Sequence, residues 1–491
     1  MTNMEQNQKT HFDPNKNKIF FGNTDKLNDW IVEGMNQALI IDKIKLMLKN
    51  YLELDNVSFL FGSGTSIHLG AVAIRNFPYD VEKYIVEKNK ETEYNGIYDE
   101  FETTVKALQN NFLEYGRKNL DEGSEDSFEN EKGWKFYIED EFVRDNIDGE
   151  IVLEYEKILN YLIAKDFVLE EDQSKVRIDK IPELITAIKE GLFNVCNLEK
   201  RSVSKTIIDR KKASQFAKEK AQGELLESKS KYIFHEKFLK ALLQRPLNLR
   251  RANIFTANYD LAFEYAFDKL GVHYIDGFSG FHKRYFKPET FEYDIFYPGS
   301  TTSGKVQRIE KVVRYYKLHG SLSWVNSESR DANNLYGIEE KPLELIESLK
   351  KKGEIIIYPS AIKKSYTLDL PYSELFRQFA STITQSQSVL VTVGYAFADD
   401  HFNDIIYQAL SNPTFTLIVV DFKGTQSEYI KNLKELNDPR IIILEGAFFG
   451  DFLTFSDTIM PNFNNIDNNE KVANTLNELL KPKSTENQAT K

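Results

Sequence analysis

The sequence predicts an α/β protein built on a doubly wound, mostly parallel sheet, with an inserted all-α helical domain. Three observations lead to this fold class. Short apolar runs alternate with helix-period segments before residue 78 and again after residue 250. Most of these runs are apolar at successive positions, which is typical of strands covered on both faces. Between the two regions lie long, charged segments with few glycines or prolines, which predict helices.

The predicted strands are short apolar or β-branched runs that end near glycine or polar residues. The first covers residues 57–61 and leads into a glycine-rich turn. Strands alternating with helices in this way indicate a Rossmann-like sheet. The other expected strands cover residues 254–256, 312–318, 354–358, 389–393 and 415–420.

Apolar residues at helical spacing predict the helices. One amphipathic helix is expected over residues 27–54, and another over 261–270 that ends at Gly271. In the inserted region, helices are expected over residues 101–119, 150–172, 181–197 and 231–244, with an acidic loop at 121–132.

These elements divide the chain into four expected parts. Residues 1–54 form an N-terminal arm and helix, and residues 55–78 together with 250–455 form the α/β domain. Residues 79–249 form the inserted helical domain, and residues 456–491 form a C-terminal tail.

Composition narrows the class of protein. The chain has 491 residues, and 63 basic against 75 acidic residues give a net charge of −12, which disfavours binding of polyanions through the bulk field. The single cysteine, Cys196, excludes a disulfide framework and a cysteine-ligated zinc ribbon. Residues 1–18 lack an apolar signal segment, and apolar stretches such as 388–398 are shorter than the ~18 residues of a membrane span. We therefore expect a cytoplasmic protein without a membrane partner.

The first candidate site follows the first strand. It consists of Gly62, Ser63, Gly64, Thr65 and Ser66. Glycines let the backbone approach a phosphate, and the N–H groups at the start of a following helix bind anions. The pattern lacks the third glycine of GxGxxG and the lysine of a P-loop. A tight strand-to-helix turn is the alternative.

The second candidate is a TANYD motif at the end of a strand, where ligands of open α/β sheets bind. Its candidate residues are Thr256, Asn258, Tyr259 and Asp260. Helix capping explains one of these polar residues, but not all of them.

The third candidate is His319, in the run LHGSLSW that ends an apolar segment. The imidazole precedes Gly320, so we expect it at a turn and not within a packed helix face.

The fourth candidate is a loop with the sequence GYAFADDHFND, between a strand and a helix. It resembles a second ribose-phosphate loop, with an acidic pair near a helix N-terminus. Asp421 ends the next strand and either accepts bonds from an adenosine ribose or is a turn residue. The candidate binding residues of the loop are Gly394, Tyr395, Phe397 and Asp400.

Five motifs occur together in one order: GSGTS, TANYD, DGFSG at residues 276–280, LHGSLSW and GYAFADDHFND. This order resembles the bacterial sirtuin-like NAD-hydrolase family. Residues 358–360 and 371–375 also look like a segment of that family. The resemblance covers about residues 57–75 and 250–449.

The resemblance implies NAD+ as substrate, with no metal. Asn258 would position the nicotinamide ribose and water, and His319 would act as the base. Nicotinamide leaves as a neutral ring, so the paired carboxylates of ordinary glycosidases are not needed. GSGTS departs from the commoner GAG-S form. Protein-deacylating sirtuins carry a four-cysteine zinc module, which a chain with one cysteine cannot build.

The leading hypothesis is therefore an NAD+ hydrolase that acts as the toxic effector of a bacterial antiphage system. The resemblance implies control by homo-oligomeric assembly or by a partner, either a HerA-like hexameric ATPase or an Argonaute-type protein. The alternatives are a non-catalytic NAD+ or ADP-ribose binding module and, with less support, a protein deacylase. Direct nucleic-acid binding is disfavoured, because the basic residues 200–220 are typical of a solvated helix face.

Overall fold

The computed structural model of the protein describes residues 13–71, 77–119, 155–171, 179–200, 230–297, 307–327, 332–348, 371–397 and 399–461. Several predictions fall outside the described residues. These are the strand at 354–358, the family-like segment at 358–360, the acidic loop at 121–132 and the basic residues 201–220.

The strands alternate with helices, as expected. Within the described residues the strands are β1 Asn17–Phe21, β2 Thr24–Asp25, β3 Asn56–Phe61, β4 Asn253–Thr256, β5 His273–Ile275, β6 Phe278–Ser279, β7 Arg284–Phe286, β8 Phe296–Tyr297, β9 Gln307–Arg308, β10 Val312–Lys317, β11 Trp324–Asn326, β12 Ile338–Glu340, β13 Ser388–Val393, β14 Thr416–Asp421 and β15 Ile441–Gly446. The α-helices are α1 Lys26–Val32, α2 Gln37–Leu52, α3 Phe77–Lys88, α4 Ile97–Asn119, α5 Tyr155–Glu171, α6 Ile181–Cys196, α7 Ile233–Leu242, α8 Ala262–Leu270, α9 Leu343–Glu347, α10 Tyr372–Ile383, α11 Asp400–Leu410, α12 Glu428–Glu435 and α13 Phe452–Thr454.

The main sheet has nine strands in the order β2-β1-β15-β14-β13-β3-β4-β10-β5. The strands from β15 to β5 are parallel to their neighbours, and β1 pairs antiparallel with β15. Leaving out the edge strands, the order β10-β4-β3-β13-β14-β15 is the 3-2-1-4-5-6 arrangement of a Rossmann fold. The expected mostly parallel, Rossmann-like sheet is confirmed, and its order reverses between β3 and β13.

Side chains that alternate along each strand fill two cores, one on each face of the sheet. Phe59 and Phe61 lie in one core, where they pack with residues of α1, α2, α7 and α8. Leu60 lies in the other, with residues of α10, α11 and α12. Both faces are covered, which accounts for the continuously apolar strands.

The N-terminal region differs from the expectation. The helix expected over residues 27–54 is two helices, because Gly34 adopts a left-handed φ of 82° and Asn36 caps α2 through the backbone N–H of Leu39 at 3.0 Å. The arm before them contributes β1, which was not predicted. The edge of β15 supplies its backbone partners.

The helices α3 to α6 share a core cluster of their own, with Phe101, Leu162 and Ile188 fully buried in it. Helix α7 was assigned to the helical insertion, yet it packs on the main sheet, where Phe238 contacts Phe61 edge-to-face at 5.0 Å. Burial also continues through Met460, beyond the expected start of the tail at residue 456.

A second, antiparallel sheet in the order β11-β12-β7-β6 packs into the core that contains Leu60. The sequence analysis did not predict it, because its strands have two or three residues each. Among the described helices, none combines the length and apolarity needed to cross a membrane.

Two histidines stack inside the sheet core next to the GSGTS loop. His68 and His235 have ring centroids 5.6 Å apart, and both side chains are buried. Burial lowers the pKa of His235 to about 3, so its imidazole is neutral in the folded protein.

We predict that His235 makes the fold sensitive to acid. In the unfolded chain the His235 imidazole takes up a proton near pH 6.5, whereas in the folded protein it does so only near pH 3. The stability that depends on the neutral imidazole is therefore complete above pH 6.5 and is lost as the pH falls towards 3. Lowering the pH from 7 to 5 should therefore reduce the free energy of unfolding by roughly 2 kcal/mol.

Chemical denaturation at both pH values should show a smaller loss in His235→Phe than in the wild type. His273→Phe, the same substitution at an exposed strand position, should keep the wild-type loss. Equal losses in all three proteins would contradict the prediction.

Candidate nucleotide site at the carboxyl edge of the sheet

The register of the parallel strands aligns one residue from each of five neighbouring strands. Val420 pairs with Val393, Val393 with Phe61, Phe61 with Thr256, and Thr256 with Lys317. The predicted motifs begin at or just after this row. Asn258 lies two residues after Thr256, and His319 lies two residues after Lys317, the register partner of Thr256. The two residues therefore follow neighbouring strands, β4 and β10, at the same level of the same sheet edge.

The backbones of two glycine loops touch where the strand order reverses. A Cβ added at Gly62 would lie 2.5 Å from the carbonyl oxygen of Gly394, and one at Gly64 would lie 2.6 Å from Gly394 Cα. The Gly64 N–H donates to the Gly394 carbonyl at 3.0 Å. Gly394 itself has a left-handed φ of 60°. Glycine is needed here for the close approach of the two loop backbones, and the expected approach to a phosphate stays a prediction.

The GSGTS loop does not run into an α-helix. Residues Ser63–Thr65 and Ile67–Leu69 form two 3₁₀ turns instead. The backbone N–H groups of residues 62, 64, 65 and 66 donate to carbonyls within the protein. The expectation that this loop offers a row of N–H groups to an anion is therefore wrong for this conformation.

The side chains of the loop divide into two groups. Thr65 and Ser66 are fully buried, and the Thr65 hydroxyl donates to the Gly62 carbonyl at 2.8 Å. Ser63 is exposed. The buried pair faces the TANYD motif.

The amide of Asn258 ties the TANYD motif to the glycine loop. Its Nδ2 lies 3.0 Å from the Gly62 carbonyl oxygen, 3.2 Å from Thr65 Oγ1 and 3.3 Å from Ser66 Oγ. The side chain is half-buried, and within the described residues its Oδ1 accepts no hydrogen bond. Nδ2 is therefore fixed, and the carbonyl oxygen of the amide remains as an acceptor.

Two of the other TANYD residues support the turn itself. The Thr256 hydroxyl is buried, donates to the Phe61 carbonyl at 3.3 Å and accepts the Asn258 N–H at 3.0 Å. Asp260 Oδ1 accepts the Ala262 N–H at 3.0 Å, at the start of α8. Burial raises the pKa of Asp260, and the nearby charge of Lys317 opposes that shift. Asp260 thus supports the start of α8 and contacts Ser66 of the glycine loop, and its role in binding a ligand stays a prediction.

His319 lies among aromatic rings and faces one carboxylate. Its Nε2 is 3.1 Å from Asp399 Oδ2. The ring centroids of Phe402, Tyr259 and Phe376 lie 5.0, 6.4 and 6.5 Å from that of His319. Of the acidic pair in the GYAFADDHFND loop, Asp400 was the predicted binding residue. Asp400 is exposed in the first turn of α11, whereas Asp399 is buried.

The other residues of that loop are held by packing and hydrogen bonds. The Tyr395 hydroxyl donates to the Asp399 carbonyl at 3.4 Å, and its ring lies 5.0 Å from that of Phe397. Phe397 has a left-handed φ of 55°, and its carbonyl accepts from Asn403 Nδ2 at 2.8 Å. The two rings cover the loop on its buried side.

Asp421 lies at the end of β14 and forms a turn. Its Oδ1 accepts the N–H groups of Lys423 at 2.9 Å and Gly424 at 2.7 Å. Burial raises its pKa, and these two hydrogen bonds oppose the shift. One carboxylate oxygen of Asp421 thus accepts the hydrogen bonds of a turn. Its hydrogen bonding to an adenosine ribose stays a prediction.

A buried network of charges fixes the end of β10, directly before His319. Lys317 Nζ contacts Glu264 Oε1 at 2.9 Å and the Tyr259 carbonyl at 3.2 Å. The Tyr315 hydroxyl donates to the other Glu264 oxygen at 3.0 Å. Burial raises the pKa of Glu264, and Lys317 opposes that shift. Each charge has a partner, as buried charges require.

A second charged pair joins half-buried Arg284 to buried Asp276. Arg284 binds Asp276 at 2.9 and 3.0 Å and also contacts Glu340. Ser323 of the LHGSLSW motif donates to Glu340 at 3.2 Å. Burial and the charge of Asp276 raise the pKa of Glu340 to about 8. The motif is thereby joined to the small sheet.

The described part of the chain contains no cluster of three or more His, Cys, Asp or Glu residues that could hold a metal ion.

The strand order and the converging loops define an α/β protein with a Rossmann-like sheet and a candidate ligand site at its switch point. Residues 252–437 match the family model described as SIR2-like domain. The chain thus carries a SIR2-like domain, a class of domain that uses NAD+ and is generally enzymatic. No curated protein matches the chain. The matched range contains Asn258, His319 and Gly394, but not the GSGTS loop.

We predict that Gly64→Ala destabilises the protein by about 1–3 kcal/mol, because the new methyl group would overlap backbone atoms of Gly394. Urea denaturation of the variant measures the effect. The adjacent, exposed Ser63→Ala should change stability by less than about 0.5 kcal/mol. If the two variants are equally stable, the two loops are not in backbone contact.

Proposed function

We propose that the protein hydrolyses NAD+ to nicotinamide and ADP-ribose and acts as the toxic effector of a bacterial antiphage defence system. One observation carries the enzymatic part of this proposal. An amide, Asn258, and an imidazole, His319, leave neighbouring parallel strands at the same level beside the switch point. The sirtuin-like motif order supports the effector role.

The reaction requires few groups from the protein. The bond between the ribose C1′ and the nicotinamide nitrogen breaks, and its electron pair leaves with the neutral nicotinamide. The oxygen of a water molecule forms the new bond to C1′ and gives its proton to His319. No acid is needed for the leaving group, so a base and a group that orients ribose and water suffice.

Asn258 is suited to the orienting role because its amide is held before the substrate arrives. Its Nδ2 is used by the glycine loop, which leaves Oδ1 to accept a hydrogen bond from a ribose hydroxyl or from the attacking water. An acceptor held in place by three contacts costs little entropy to order during the reaction.

His319 is suited to the role of base because its surroundings limit solvent. Its side chain is 12% exposed, and aromatic rings lie near it. Exclusion of water strengthens the electrostatic interactions of an imidazolium that forms there.

An enzyme that destroys NAD+ must be controlled, and we propose assembly or a partner as the means. The helices α3 to α6 form a hydrophobic cluster of their own. The last of them, α6, contacts LHGSLSW, the motif that contains His319. Phe193 of α6 is buried against Leu322 and Val325. A HerA-like ATPase or an Argonaute-type protein that docks on these helices would act on the LHGSLSW segment through this contact.

We predict that His319→Ala lowers the rate of nicotinamide release about 10²–10⁴-fold, and that Asn258→Ala abolishes it. Chromatography of NAD+ incubated with the assembled protein, purified together with any companion, measures nicotinamide and both linear and cyclic ADP-ribose. His282→Ala, at an exposed position in the turn between β6 and β7, is the matched control and should keep the wild-type rate. Tight NAD+ binding without turnover would instead identify a non-catalytic binding module.

We predict that the protein is purified from its native host as a homo-oligomer or with a companion, and that the isolated monomer is inactive. Affinity purification followed by size determination and the nicotinamide assay tests this. A monomer without a companion that shows full, constitutive activity would rule out control by assembly.

A further inference from the structure

Helix α6 buries apolar side chains on two of its faces. Leu184, Ile188, Leu192 and Val195 lie at helical spacing and are buried in the cluster formed by α3 to α6. Phe193 directly follows Leu192, so its side chain leaves the helix about 100° away from that of Leu192. It is fully buried and belongs to a different cluster. Helix α6 is therefore part of two hydrophobic cores.

The cluster that contains Phe193 joins α6 to the two segments that carry Asn258 and His319. Tyr259 and Leu261, which follow Asn258, pack against this cluster as partly buried residues. The segment of His319 contributes buried side chains from LHGSLSW and from β11. The buried members of the cluster are Phe193, Leu322, Val325, Leu343 and Ile346. One phenyl ring of α6 thus packs in the core that both segments share.

The same two segments are bonded to each other beside this cluster. The Leu322 N–H donates to the Tyr259 carbonyl at 3.1 Å. Lys317 Nζ contacts the same carbonyl at 3.2 Å. Leu322 and Tyr259 therefore take part both in the backbone contact and in the apolar packing. Removing volume from the cluster would loosen this contact, because a close-packed core relaxes only in part around a cavity.

Polar contacts fix the end of α6 next to the cluster. Asn197, which follows α6, is buried, and its Nδ2 donates to Glu347 Oε1 at 2.8 Å. Its Oδ1 accepts the Glu199 N–H at 3.1 Å. Glu347 is the last residue of α9, whose Leu343 and Ile346 belong to the cluster. Both ends of the buried amide are thus bonded, which holds α6 against α9.

We propose that Phe193 is a positioning residue for the segments that carry Asn258 and His319. It acts on them through Leu322 and Tyr259, and this inference rests on the proposed function. The reaction needs an amide and an imidazole placed around one ribose carbon, and a misplacement of about 1 Å can cost about 10²-fold in rate. The glycine loops do not belong to this cluster. The effect of Phe193 therefore falls on the chemical step more than on the binding of NAD+.

The variant Phe193→Ala tests this role in the assembled protein, purified together with any companion. We expect kcat for nicotinamide release to fall about 10–10²-fold, with KM for NAD+ within about threefold of the wild-type value. Phe193→Leu keeps a large apolar side chain in the cluster and should recover most of the lost kcat.

Phe415→Ala is the matched control. It removes the same phenyl ring from another fully buried position, directly before β14 and so at the amino edge of the main sheet, away from the candidate site. Its kcat should stay close to that of the wild type.

Hydrogen exchange separates the positioning role from a general loss of stability. The readout is the exchange rate, under native conditions, of peptides that contain the Leu322 amide. Exchange should be faster in Phe193→Ala than in Phe415→Ala. Both variants lose a buried ring, but only the first loosens the bond from Leu322 to the Tyr259 carbonyl.

The outcomes are distinct. A kcat in Phe193→Ala equal to that of Phe415→Ala, or equal exchange of the Leu322 peptides in the two variants, overturns the proposal. If the wild type releases no nicotinamide, the proposed function fails, and exchange alone decides whether Phe193 holds the two segments together. If either alanine variant does not fold, Phe193→Val and Phe415→Val replace the pair in both measurements.

Discussion

The candidate site depends on one close contact, the approach of the Gly64 and Gly394 backbones where the strand order reverses. A side chain on either residue would separate the two loops, since its Cβ would lie within 2.7 Å of backbone atoms of the other. The Asn258 amide then joins the same loop to the end of β4. Three chain segments far apart in the sequence are thereby held together by groups that carry no charge. A site built in this way has its uncharged donors and acceptors in place before any ligand binds.

The parallel register explains why motifs nearly 200 residues apart meet. Once Val393, Phe61, Thr256 and Lys317 are aligned across the sheet, each following loop starts at the same level. Parallel strands have their carboxyl ends on one edge, so polar residues that follow them converge there. The glycine loops, Asn258 and His319 share this origin. The same argument accounts for Asp421, which follows the next strand but whose Oδ1 is engaged by its own turn.

Much of this could be predicted from local sequence, and the remainder depends on tertiary contacts. The end of α8 was predictable because Gly271 adopts the left-handed conformation that glycine favours. Strand β1 was not predictable, because all five of its residues pair with strand β15, which lies more than 400 residues further along the chain. The choice between Asp399 and Asp400 could not be made from spacing, since the two are adjacent. Only the cap geometry decides which carboxylate turns inward. The internal use of the GSGTS N–H groups could not be predicted either, because two of them donate within the loop and two donate to Val393 and Gly394, more than 300 residues away.

The two halves of the sheet, on either side of the switch point between β3 and β13, supply different residues to the surroundings of His319. Strands β4 and β10 supply Asn258 and His319, and the buried contact of Lys317 with Glu264 fixes the end of β10. Removing one partner from such a pair strands a buried charge, so this side of the site is costly to distort. Asp399 comes from the other half, after β13, and reaches His319 across the switch point. The distance between the imidazole and the carboxylate therefore depends on how the two halves pack together. The small sheet and Phe193 contact the segment after β10 through Ser323 and Leu322. Under the proposed function, a movement of α6 or of the small sheet would act on His319 through these contacts, whereas the two glycine loops are held together by the contact of Gly64 with Gly394.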